Sequence, residues 1–114
     1  MYEVSKEKLE ELEAAHGTIQ DGKLGRCETV DGTLIFRRPS RAEFKTAAKV
    51  GLMDPKTSPE AFELLARATI VFPGREALDK LLDEHPALAL QCGEELLKLS
   101  GLTGEDLGKK LFRY

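Results

Sequence analysis

No stretch of this 114-residue sequence approaches the roughly 18 consecutive apolar residues that a membrane-spanning helix needs. Its opening, MYEVSKEKLEELE, lacks the cationic start and apolar centre of a secretory signal. The expectation is a protein of the cytoplasm with no membrane partner. Cysteine and histidine are scarce. Cys27 and Cys92 form no CxxC pair and are expected to be reduced thiols. His16 and His85 each fall where a helix should end, a position they suit electrostatically, and too few further ligands are at hand for a metal site. Cys27 has no histidine near it in sequence, so thiol catalysis is not expected. The acidic residues Glu76, Asp79, Asp83 and Glu84 sit between leucines in the pattern of a solvated helix face. Asp21-Gly22-Lys23-Leu24-Gly25-Arg26 lacks the spacing of a phosphate-binding loop. The expectation is therefore no enzyme, no metal and no cofactor. Strong charge of either sign is also missing: 17 Lys plus Arg against 20 Asp plus Glu leave a net −3. That balance argues against a dedicated duplex-DNA binder, which wants a concentrated positive field.

What remains is an ordinary globular composition, 41% apolar and 32% charged, with the length of one domain. Ser5 can cap a first helix running to about Ala15 and closed by His16-Gly17, with Leu9 and Leu12 as a narrow apolar stripe. Because that stripe buries little, residues 1–17 read as a helical arm, weakly docked or waiting for a partner. Residues 18–114 read as a single α-rich domain that opens with a β-hairpin. Asp31-Gly32 is a strong turn signal between Arg26–Val30 and Thr33–Arg37. In that hairpin Leu34 and Phe36 share one face and Ile35 and Arg37 the other. Thr18-Ile19-Gln20 is placed as a short third strand.

Helices follow. Pro39 ends the strand, and Ser40 with Glu43 forms a capping box for a helix that ends near Gly51 or Leu52. Ser58 caps the next, with Pro59 at its first position and Phe62, Leu65, Ala66, Thr69 and Ile70 at helical spacing, stopped by Val71-Phe72-Pro73-Gly74. A shorter helix carries Leu78, Leu81 and Leu82. Another opens at Pro86, carries Leu88 to Leu99 with Cys92 as a small core side chain, and stops at Gly101. Thr103 caps a last short helix, Gly104 to Lys110. The fold class expected is α+β, mainly α: an N-terminal helix, a small hairpin, then a compact bundle of about four helices.

Charge is distributed unevenly, a net basic stretch at 23–56 lying between acidic flanks. Arg41, Lys45 and Lys49 recur every four residues and form a ridge on the helix after the hairpin, adjoining Arg37 and Arg38. A strand running straight into a capped helix with such a ridge can grip an acidic partner segment. The plainer alternative is a solvated face with an arginine paired to Glu43 or Glu28. Single-stranded nucleic acid is a poorer fit, because no exposed aromatics interleave the cations. Phe72 and the terminal Phe112 and Tyr114 are candidates for apolar surface left over after the core closes, suited to anchoring a protein contact.

The acidic first helix, the Asp31-Gly32 hairpin, the junction Phe36-Arg37-Arg38-Pro39-Ser40-Arg41-Ala42-Glu43-Phe44, the helix end Ile70-Val71-Phe72-Pro73, the Leu78-x-x-Leu81-Leu82 helix and the helix from Pro86 together resemble the small tail assembly chaperones of tailed bacteriophages and prophage elements, over roughly residues 16–101. The resemblance implies a non-enzymatic protein that binds the long, hydrophobic tape measure protein and keeps it soluble before the tail tube polymerises. It places Arg37, Arg38, Arg41 and exposed apolar helix residues in the binding role. Such a holding protein needs apolar surface beyond a few hundred Å², or a homo-oligomer that creates it. Two alternatives remain at this point: a structural tail-completion or connector protein of the virion, and a small nucleic-acid-binding regulator using the Arg41, Lys45, Lys49 ridge.

Overall fold

The computed structural model describes residues 2–52 and 54–101. The expected helix at Gly104–Lys110, with Phe112 and Tyr114, lies outside the described residues. Helix α1 (Lys6–His16) comes first, then strands β1 (Leu24–Thr29) and β2 (Gly32–Arg37), helices α2 (Arg41–Val50) and α3 (Ser58–Thr69), strand β3 (Ile70–Phe72), and helices α4 (Arg75–Glu84) and α5 (Leu88–Leu99). The class is α+β and mainly helical.

Local sequence explains most boundaries. The Ser5 hydroxyl accepts from the Lys8 amide at the start of α1. At α2 the capping box is complete: the Ser40 side chain accepts from the Glu43 amide and the Glu43 carboxylate accepts from the Ser40 amide. Gly51, at φ +110°, closes α2 in the left-handed region that glycine enters without steric cost. Helix α3 opens on Ser58-Pro59, with Thr57 rather than Ser58 as the capping position, and α5 begins two residues after Pro86.

The sheet is antiparallel in the order β1-β2-β3. Its third strand is not at 18–20, where the sequence suggests one; the chain there runs into a turn at 19–22. Ile70, expected on α3, and Val71-Phe72, expected as part of its stop, leave the helix in extended conformation as β3, which pairs with Ile35 and Phe36 across a register shift. Strand pairing stabilises this short apolar run, because the β2 edge offers it partners at the moment helical bonding ends.

The two faces of the sheet are covered differently. Leu34, Phe36 and Cys27 face the helical layer and join the main core, with Ala47, Phe62, Leu65, Leu78, Leu81, Leu96 and Leu97 among its members. Leu24 and Ile35 face the other way, onto Leu12 of α1, with Val4, Leu9, Ile19, Val71 and Phe72 around them. The four helices after the hairpin thus form a layer against a central sheet, and β3 interrupts them, so a free-standing bundle is not the right description. The N-terminal helical arm, α1, packs on the sheet. Its leucines close the outer face of the sheet, and Tyr2 bridges to the hairpin, donating to the Asp31 carbonyl at 2.8 Å and accepting from the Thr33 amide at 2.7 Å.

Candidate functional site

The junction from β2 to α2 carries the most developed surface feature. Pro39 is buried and turns the chain, so that Arg38, Arg41 and Lys45 project from consecutive turns along one rim. Across from them stands the end of α5. Between the two lies an open groove of about 690 Å³, lined by Arg38, Pro39, Ser40, Arg41, Phe44, Lys45, Ala48, Leu99, Ser100 and Gly101. Its floor is apolar (half-buried Phe44, exposed Ala48, and Leu99), and every charged side chain lining it among the described residues is a cation.

Among the described residues, the acid nearest these cations is used elsewhere. The single acid of α2, Glu43, is held bidentate by Arg37, Nη1 donating to Oε1 at 2.8 Å and Nη2 to Oε2 at 2.6 Å. This clamp, with the Ser40 cap, holds the Glu43 carboxyl down at about 2. Arg37 Nη2 also donates to the Ala68 carbonyl at 2.9 Å, tying β2 and α2 to the end of α3. Arg37, the first of the expected binding residues, thus has partners within the fold. Arg38, Arg41 and Lys45 form no salt bridge among the described residues.

A second, smaller groove of about 210 Å³ runs along the other flank of α2, between it and α3, lined by Ala42, Glu43, Thr46, Leu64, Leu65 and Ala68. Leu64 is 42% exposed there. Sequence spacing placed Leu64 outside the core face of α3 but did not single it out. Phe72, by contrast, packs half-buried against the α1 side of the sheet, away from both grooves; Phe112 and Tyr114 fall beyond the described residues.

The groups considered for catalysis are scattered. His16 ends α1 exposed. His85 Nε2 lies 2.9 Å from Asp31 Oδ2 in the hairpin turn, with Glu84 beside them, in a shallow exposed cluster whose neighbouring depression of about 210 Å³ is lined by Thr29, Val30, Asp31, His85, Leu88 and Gln91. Thr29 already donates its hydroxyl to the Gly32 carbonyl, and no thiol reaches this spot. Asp79 pairs with Arg67 at 3.0 Å. The two cysteines are buried in the main core cluster instead.

Comparison with known proteins supplies a family. Residues 23–109 match the family model described as a domain of unknown function, DUF6848, which spans β1 through α5 and both walls of the groove. The chain belongs to the DUF6848 family. α1 precedes the matched region. A solved structure, that of uncharacterised protein rbstp2171 from Bacillus stearothermophilus, is similar to this DUF6848 chain with a TM-score of 0.64 and 22% identity, over 83% of this chain and 93% of that one. At that identity the likeness is one of fold. Comparison with curated proteins gives no match.

Proposed function

We propose that this DUF6848 protein works by binding another polypeptide, without catalysis, and that it is a tail assembly chaperone that holds the tape measure protein in the host cytoplasm before the tail tube polymerises. The observation that carries the reading is the cation-rimmed apolar groove between α2 and α5. Arg41, Lys45 and Lys49 stand at successive i,i+4 positions, so the ridge repels itself by a few tenths of a kcal/mol per pair. An acidic, amphipathic segment laid along α2 relieves that repulsion while its apolar face covers Phe44, Ala48 and Leu99. The groove on the other flank, with Leu64, extends the apolar surface that a holding protein needs. No helix among the described residues is long and apolar enough to cross a membrane, which fits a partner met in water.

The test is co-expression with the tape measure protein, read by its soluble fraction and by pull-down. The expected result is a soluble complex, weakened about tenfold or more by Arg41→Glu with Lys45→Glu, at unchanged thermal stability. A tape measure chain equally soluble alone, or a complex indifferent to the charge reversal, overturns the proposal. Retention at fixed stoichiometry in finished particles instead assigns the protein to the virion, and binding to single-stranded RNA or DNA that falls steeply with salt assigns the ridge to nucleic acid.

A further inference from the structure

Cys27 and Cys92 take no part in the grooves, yet the fold brings them together from 65 positions apart. β1 presents Cys27 on its helix-facing side, α5 presents Cys92 toward the sheet, and both belong to one core cluster. Two features press these elements close. Gly25 leaves room for Leu99, where any Cβ would overlap that side chain. Gln91 Nε2 donates to the Glu28 carbonyl at 2.7 Å, pinning the residue before Cys92 to the residue after Cys27. β1 and α5 pack directly against each other, the arrangement that a disulfide between them requires. Between the pinned neighbours the two thiols are close enough to act on each other's ionisation.

We propose that Cys27 and Cys92 are a redox pair that closes to an intramolecular disulfide, stapling β1 to α5, when the protein meets a low-molecular-mass disulfide oxidant of the oxidised-glutathione class. Cys27 reacts first. It is 6% exposed and lies on an outer strand of the sheet, whereas Cys92 is fully buried, so local opening of that edge admits the oxidant. The neighbouring Cys92 thiol also holds the Cys27 thiol below its ordinary range, against burial and the charges of Glu95, Glu28 and Glu94, while the nearness of Cys27 and burial push Cys92 up. The Cys27 thiolate attacks one sulfur of the oxidant, whose S–S bond breaks and releases one thiol. The Cys92 sulfur, giving its proton to water, then attacks Cys27 in the mixed disulfide and expels the second thiol. The protein loses two protons and two electrons, and one oxidant disulfide becomes two thiols.

The experiment incubates the full chain with excess oxidised glutathione or with dithiothreitol, followed by intact mass, peptide mapping and thermal melting. The expected product is a monomer about 2 Da lighter than the reduced chain, with Cys27 and Cys92 in one linked peptide. Its Tm is expected to rise by about 5 °C or more, because the bridge closes a long loop. Cys27→Ala and Cys92→Ala should each abolish the mass loss and the Tm shift. The proposal is overturned if the wild-type chain keeps both thiols reduced while a denatured control oxidises, if it accumulates glutathione adducts without a linked peptide, or if the bridge forms between two chains. The wild-type readouts decide the matter even if a variant folds poorly.

Discussion

The Glu43 carboxylate serves two partners at once and a third element through one of them, and that makes it the residue whose titration matters most. It caps α2 through the Ser40 amide, receives both guanidinium nitrogens of Arg37, and through Arg37 is joined to the end of α3. Its folded pKa is about 2, against an ordinary value of 4.5. A depressed carboxylate adds stability that is fully present above its unfolded value and drains away as pH falls toward the folded one. Acid unfolding should therefore draw on this residue between about pH 4.5 and 2. Glu43→Gln is expected to cost on the order of 2 kcal/mol at pH 7 and to flatten that acid limb, measured by urea melts across pH. A variant as stable as wild type at pH 7 would show the clamp to be ornamental. Glu95 has the opposite sign. Burial is the main cause that pushes its carboxyl up, Glu94 adds to it, and Lys98 opposes. A raised carboxylate favours the fold below its unfolded pKa and loses that contribution as pH rises through the folded value. Glu95→Gln should raise Tm at pH 7 by about 2 °C and leave it unchanged in acid; a fall at pH 7 would contradict this.

At the scale of elements, the packing of α3 on α5 depends on one missing side chain. Gly93 faces the Phe62 ring so closely that a Cβ would overlap it. In an exposed helix Gly→Ala gains about 1 kcal/mol. Here the overpacking outweighs that gain, and Gly93→Ala is expected to destabilise by about 1–3 kcal/mol, read by denaturant melts; a more stable variant would mean the helices can part without cost. This close approach was not legible in the sequence, where Gly93 is simply a weak helix former between Cys92 and Glu94. The α2 cap was legible, because Ser40 and Glu43 act within one turn. β3 was missed because three apolar residues at a helix end have no periodicity of their own, and only the β2 edge decides their conformation. The candidate site divides the same way. The Arg41-Lys45 ridge follows from four-residue spacing, but the wall supplied by Leu99, the tie from Arg37 to α3 and the meeting of Cys27 with Cys92 all depend on tertiary contacts.

The whole molecule is three layers, and the first of them tests the architecture. α1 alone, with its narrow stripe, reads as marginal. In place, it covers Leu24 and Ile35, which are 1% and 0% exposed, with Leu12, Leu9 and Val4, while Tyr2 adds two backbone bonds to the hairpin. Apolar cover of this kind is worth on the order of 3–5 kcal/mol for a few half-buried to buried side chains. Deleting residues 1–17 should therefore lower Tm by about 10 °C or more and expose a sheet face that binds a hydrophobic dye such as ANS. Because α1 and the α2–α5 groove sit on opposite sides of the sheet, partner binding should persist at temperatures where the shortened chain is still folded. A truncated chain that melts with wild type and binds no dye would return α1 to the status of a free arm. Loss of binding in a chain that is demonstrably folded would instead place part of the partner's contact on α1, and shift the adhesive surface from one side of the molecule to both.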